Sequence, residues 1–212
     1  MKQKHFVSLL GILAIIALGM PLAMAADTGF YIGANVGQAR TKVDASSVAL
    51  PAGFTFTSFS SSESNTGFKV LGGYKINDNF AVELAYVDLG KFSFNGTTAP
   101  AATVSATIKN SGVTLDAVGI LPLQNNFSVF GKVGAYYNET KTDCAAAGAL
   151  ACVRPSAKAT ETDLKLGLGL QYDFTKTIGA RLEWEHFRNV GDRNTTGEGN
   201  INLYSVGIVV RF

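Results

Sequence analysis

From residue 29 onward the chain switches between apolar and small or polar residues at every second position, in eight separate runs. A period of two belongs to the β-strand, whose successive side chains leave opposite faces of a sheet. In GFYIGANVG, Phe30, Ile32, Ala34 and Val36 share a face opposite Tyr31, Gly33, Asn35 and Gly37. GFKVLGGYKI opposes Phe68, Val70, Gly72, Tyr74 and Ile76 to Lys69, Leu71, Gly73 and Lys75. FAVELAYV opposes Phe80, Val82, Leu84 and Tyr86 to Ala81, Glu83, Ala85 and Val87. GVTLDAVGILPL is the weakest alternation, and FSVFGKVGAYY, LKLGLGLQYDF, IGARLEWE and the terminal LYSVGIVVRF complete the set. No helical period is sustained beyond the first 25 residues.

The connections alternate in length. Short polar turns, Asn77 to Asn79, Gln124 to Asn126 and Thr175 to Thr177, follow the second, fourth and sixth runs. Long polar segments, roughly Arg40 to Thr66, Phe94 to Asn110, Asn138 to Thr162 and Phe187 to Gly199, follow the others and are expected to be loops. Short turns at one end and long loops at the other predict an all-β fold, an eight-stranded antiparallel up-and-down transmembrane β-barrel. A tilted strand of about nine to eleven residues crosses a bilayer. The last run, ending at Phe212, is expected to close the sheet against the first, because lipid cannot satisfy an open strand edge.

A soluble sandwich or lipocalin-like barrel also alternates. Three features favour the membrane. Lys69, Lys75, Glu83, Asp116, Lys132, Lys165, Asp173, Arg181, Glu183, Glu185 and Arg211 share the less apolar face with many glycines, which suits a crowded lumen. Aromatics cluster at both ends of the apolar face: Phe30, Tyr74, Phe80, Phe127, Phe174 and Phe212 toward the short turns, and Tyr86, Tyr137 and Trp184 toward the loops. Finally, residues 1–25 read as a signal peptide. Lys2 and Lys4 precede an apolar stretch, then Pro21 and the small-x-small site Ala23-Met24-Ala25. The expected organisation is a signal peptide at 1–25 and an outer-membrane barrel at 26–212, in contact with outer-membrane lipid.

Lys2 and Lys4 are the only Lys or Arg in that leader, so the 18 Lys+Arg of the chain fall to 16 against 16 Asp+Glu. A balanced chain gives no electrostatic ground for binding nucleic acid. Cys144 and Cys152 are the only cysteines. In an exported protein they are expected to form a disulfide within a surface loop, and without a neighbouring His they make a poor zinc site. No cofactor or metal is expected.

The order and spacing of YIGANVG, GGYKIN, VELAYVDLG, GVTL with LP, LQYDFT, RLEWEHFRNVGD and the terminal VRF resemble the OmpA-like transmembrane barrel family of Gram-negative outer membranes, over almost the whole mature chain. The resemblance implies a lumen ion pair between Glu83 and Arg181. It implies that the C-terminal strand, with Tyr204, Val210 and Phe212, is read by the outer-membrane assembly machinery. Larger members add a peptidoglycan-binding domain after the barrel, an activity not expected here. The family's gating Lys position holds Val118, and the acidic partner expected for Lys132 is replaced by Gln171. These changes favour a plugged lumen, with Asp116 on the neighbouring strand as an alternative partner for Lys132.

Other candidates have plainer readings. His186 lies near the loop end of the apolar face, where lipid-modifying barrel enzymes carry a His. Its strand supplies no nearby Ser nucleophile, so it reads as an interfacial residue. Glu183 and Glu185 read as lumen charges rather than a catalytic pair. Phe54, Phe56 and Phe59 either bind a surface partner or pack on one another. The expected role is structural or surface-interacting, with a narrow solute channel as the alternative.

Overall fold

The computed structural model describes residues 28–41, 52–149, 152, 155–192 and 195–212; the expected signal peptide lies outside them. The described residues form nine strands: β1 (Gly29–Thr41), β2 (Thr55–Ser62), β3 (Ser64–Lys75), β4 (Phe80–Ala99), β5 (Ala102–Pro122), β6 (Phe127–Gly148), β7 (Ser156–Asp173), β8 (Ile178–Asp192) and β9 (Gly197–Arg211). Eight of them form a closed antiparallel ring, β1-β3-β4-β5-β6-β7-β8-β9 and back to β1. The seam runs from Tyr31 opposite Arg211 to Thr41 opposite Ile201. β2 continues β3 beyond a break at Glu63 and pairs with the outer part of β4, Ser62 with Ser93 and Thr55 with Ala99.

The short turns are built by their own side chains. Asn77 Oδ1 accepts the backbone N–H groups of Asn79 and Phe80, both at 2.9 Å. Thr175 Oγ1 accepts from Ile178 N at 2.9 Å. Asn125 and Asn126 both take positive φ, 59° and 64°, a conformation that Asn tolerates better than most residues.

Outside the ring, Phe30, Leu84, Leu115, Leu168, Leu182 and Ile208 are exposed, each flanked along its strand by an inward neighbour. Two aromatic levels bound this band. Phe30 meets Tyr74 with ring centroids 4.9 Å apart, and Phe127 meets Tyr172 at 4.8 Å, near the turns. Phe68 meets Tyr86 at 6.2 Å near the other end. An exposed apolar belt with aromatic rims is the surface of a protein solvated by lipid.

Where the structure describes them, the long polar segments are mostly strand, which corrects the expectation of loops. β4 and β5 stay paired to Thr98 opposite Ala102, β5 and β6 to Ala102 opposite Gly148, and β6 and β7 to Asp143 opposite Ser156. Their Ser and Thr alternate with Val104, Ala106 and Phe92, which are buried. The period of two therefore persists with hydroxyls replacing apolar residues on the outer face. β7 and β8, by contrast, pair only from Lys165 opposite Phe187. One side of the rim thus rises as a wall of β2, β4, β5, β6 and β7. A bulge between Asp88 and Gly90 marks its base on β4. There Gly90 takes φ 83° and its N–H is accepted by Asp88 Oδ1 at 2.8 Å. On the inner side of the wall Phe59 lies 5.3 Å from Phe56 and 5.8 Å from Phe94, so these phenylalanines pack on one another. Cys144 and Cys152 are joined by a disulfide in the wall's upper part, with Cα atoms 6.1 Å apart.

Candidate functional site: a charge ladder inside the barrel

Eight charged side chains project inward and are buried: Lys69, Glu83, Asp116, Lys132, Lys165, Arg181, Glu183 and Glu185. Four are cations and four are anions. They form one continuous chain of ion pairs. Arg181 Nη1 lies 2.6 Å from Glu83 Oε1, and Lys132 Nζ lies 2.5 Å from Glu83 Oε2 and 3.2 Å from Glu183 Oε2. Lys69 donates to Glu183 and, at 2.7 Å, to Glu185. Lys165 completes the chain, 2.7 Å from Glu185 and 2.6 Å from Asp116. Neutral groups extend it. Tyr31 Oη donates to Glu83 at 2.8 Å, and Arg181 Nε donates to Gln171 Oε1 at 2.7 Å. Gln171 Nε2 donates to Asp173 Oδ1 at 2.9 Å, and Arg211 reaches the same oxygen at 2.6 Å.

The register explains the pairing. Asp116 is opposite Gly134, and Gly134 is opposite Lys165. The glycine in the middle lets the two charges meet across it: a Cβ there would lie 2.2 Å from Asp116 Oδ1. Lys132 sits one inward row lower, opposite Val118. The alternative pairing of Lys132 with Asp116 is therefore corrected: Lys132 turns to Glu83 and Glu183, and Lys165 takes Asp116. The same device recurs at Gly73, which stands between Tyr31 and Glu83. A Cβ at Gly73 would meet the Tyr31 ring at 2.2 Å.

The lumen is not polar throughout: apolar layers flank the ladder. Tyr31, Leu71, Ala81, Ala85, Val118 and Phe130 pack into an apolar layer on the turn side of the ladder. A larger layer with Val87, Leu89, Phe92, Tyr136, Phe187 and Leu203 lies on the loop side. Aromatic rings from both layers face the cations. Phe130 lies 4.9 Å from the Arg181 guanidinium, Tyr31 5.2 Å from it, and Phe187 5.6 Å from Lys165 Nζ. Cations over ring faces are stabilised by the ring quadrupole. Tyr31, Phe130, Tyr136 and Phe187 were not singled out from the sequence. The available signal was a large aromatic on the glycine-bearing face of a strand.

His186 and Trp184 stand together at the loop-side edge of the belt, and both contact Asn202 Oδ1, at 2.9 Å and 3.1 Å. Cys144 and Cys152 lie away from the ladder, in the wall.

A closed ring of eight strands, apolar outside and filled by compensated charge inside, defines an integral membrane β-barrel. Residues 25–212 match the family model of the OmpA-like transmembrane domain, and the chain belongs to that family. It is 27% identical over 189 residues to Outer membrane protein A of Salmonella typhi, covering 88% of this chain and 49% of that one. The chain thus spans about half the length of the curated relatives it matches. Among solved structures, Ail of Yersinia pestis, crystallised with the heparin analogue sucrose octasulfate, aligns with a TM-score of 0.51 at 16% identity, covering 88% of this chain and 100% of that one. Neisserial surface protein A gives 0.51 at 17% identity, with the same coverage. The protein is an integral barrel of the cell outer membrane.

Proposed function

We propose that this barrel serves the envelope as a structural and surface-interacting element, with the lumen closed to solutes and no catalytic centre. The supporting observation is the layering of the interior: a charge-neutral ladder between two apolar plugs. An eight-stranded barrel has little interior space beyond its side chains. Each ladder charge is engaged by a counter-charge, so swinging one aside to open a path strands its partner in a low-dielectric site, at a cost of roughly 3–5 kcal/mol. The non-enzymatic reading is supported by His186, which shares an amide oxygen with Trp184 and, among the described residues, meets no hydroxyl nucleophile.

Planar-bilayer recording tests the closed lumen. The wild-type chain is expected to give no steady current. Steady conductance that disappears in Glu83→Ala or Arg181→Ala overturns this reading in favour of a channel.

The C-terminal strand is proposed to carry the assembly signal through Tyr204, Val210 and Phe212. In support, β9 forms the closing seam, and Phe212 N–H donates to Phe30 O at 3.0 Å. Phe212→Ala is expected to lower the amount of barrel in the outer membrane of cells while leaving the purified, refolded barrel as heat-resistant as wild type. Unchanged cellular levels overturn the assignment.

A further inference from the structure

We propose that the outer face of the raised wall binds the phosphorylated sugar headgroups of glycolipids surrounding the barrel, through Lys91, Lys109, Lys141 and Lys158. The inference rests on the membrane-inserted reading and adds a lateral binding surface to it. Lys91 is directly opposite Lys109, Lys109 opposite Lys141, and Lys141 opposite Lys158. Four lysines from four adjacent strands therefore form one cross-strand row. All four are exposed on the outer face, while their neighbours Phe92 and Asn110 are buried on the inner one. With strands about 4.8 Å apart, the row roots four lysine side chains within about 14 Å of backbone.

Like charges placed directly opposite one another destabilise a sheet. The chain compensates only part of this row. Glu139 lies 2.7 Å from Lys141 and 2.7 Å from Lys158. Asp88 and Asp143 lie one row to either side, and Asp88 is engaged with Gly90 N. Among the described residues, Lys91 and Lys109 have no ion-pair partner. The uncompensated end of the row is a site for closely spaced external anions, which lysine binds as a point charge.

Position selects the kind of anion. The row faces sideways from the barrel, continuing the face that meets lipid lower down. One row toward the membrane lie Asp88, Ser111 and Glu139; the next carries Tyr86, Val113 and Tyr137, the edge of the apolar belt. The lysines thus stand four or five residues beyond that edge, roughly 10 Å along the membrane normal for strands tilted by about 40°. Headgroup layers occupy about 5–8 Å on each side of the hydrocarbon. The long side chains overhang that layer from the side. Above them the wall bears cross-strand pairs of hydroxyl and amide residues: Ser93 with Thr107, Asn95 with Ser105, and Thr97 with Thr103. Phosphates against the lysines and sugar hydroxyls against these pairs fit a phosphorylated glycolipid better than a simple phospholipid.

The test uses the full chain refolded into phosphatidylcholine nanodiscs, with and without diphosphoryl lipid A. Wild type, Lys91→Gln/Lys109→Gln and the turn-side control Lys176→Gln are compared. Bound lipid A is counted by native mass spectrometry, and heat-modifiable gel migration verifies insertion of each variant. The double variant is expected to bind lipid A at least tenfold more weakly, the control as wild type, and added salt to narrow the difference. Equal binding by the double variant overturns the proposal. So does lysine-dependent retention on immobilised heparin without lysine-dependent lipid A binding, which assigns the row to a soluble polyanion. A wild-type chain that inserts into no bilayer overturns the barrel reading together with this one.

Discussion

The same strands carry two rows of charge, and they follow opposite rules. Inside the barrel, β5, β6 and β7 bring Asp116 and Lys165 together across Gly134, and every charge of the ladder has a counter-charge. Seven residues further along β5, β6 and β7 this is reversed: Lys109, Lys141 and Lys158, with Lys91 on β4, align lysine against lysine. The difference is solvent. In a closed interior an unmatched charge keeps its full desolvation penalty, so the sequence is constrained to neutrality. On a wetted face, water and salt screen repulsion, and a surplus of one sign is tolerable and available for binding.

The largest effect expected from this contrast is in the lumen. Lys165→Ala leaves Asp116 and Glu185 short of a cation and is expected to cost roughly 3–5 kcal/mol in urea unfolding from lipid vesicles. A loss no larger than that of an exposed lysine breaks the comparison. Next comes Gly134→Val, whose side chain must displace Asp116; about 1–3 kcal/mol is expected in the same assay. Removing a wall lysine is far milder. Lys109→Gln is expected to change stability by no more than about 0.5 kcal/mol, in the stabilising direction, because it relieves repulsion from Lys91 and Lys141.

The smallest effect is in pH. Hydrogen bonds from Lys141 and then Lys158 hold the Glu139 carboxyl down from 4.5 to about 2. A lowered folded-state pKa means the contribution is present above the ordinary value and is lost as pH falls toward 2. Side-chain NMR of Glu139 from pH 5 to pH 2 is expected to show a midpoint near 2, moving upward in Lys158→Gln.

Much of this was legible in the chain. Alternation assigns each residue to a face, so all eight ladder charges were placed inside. It does not assign rows. Whether Lys132 meets Asp116 or Glu83 depends on a register set by turns and closure, and a glycine such as Gly134 changes which partners can reach. The apolar lumen layers were hidden for a related reason. Val118, Phe130 and Phe187 look like interruptions in a charged face until the strands are stacked. The wall is not evident from the sequence because Ser- and Thr-rich segments read as loops, although Val104, Ala106 and Ile108 keep the strand period among them. The lysine row, split among segments read as loops, needed the cross-strand register to become visible.

The rim's unequal height has a consequence for the protein's neighbours. A cylinder level all round looks the same from every bearing in the plane of the leaflet, whereas among the described residues this one has a tall flank, β4 to β7, and a low flank, β8, β9 and β1. Bulky sugar-bearing molecules meet a parapet on the first and can lean across the second. Orientation about the membrane normal thereby matters in a crowded leaflet, and adjacent copies or other barrels approach on a preferred bearing rather than at random.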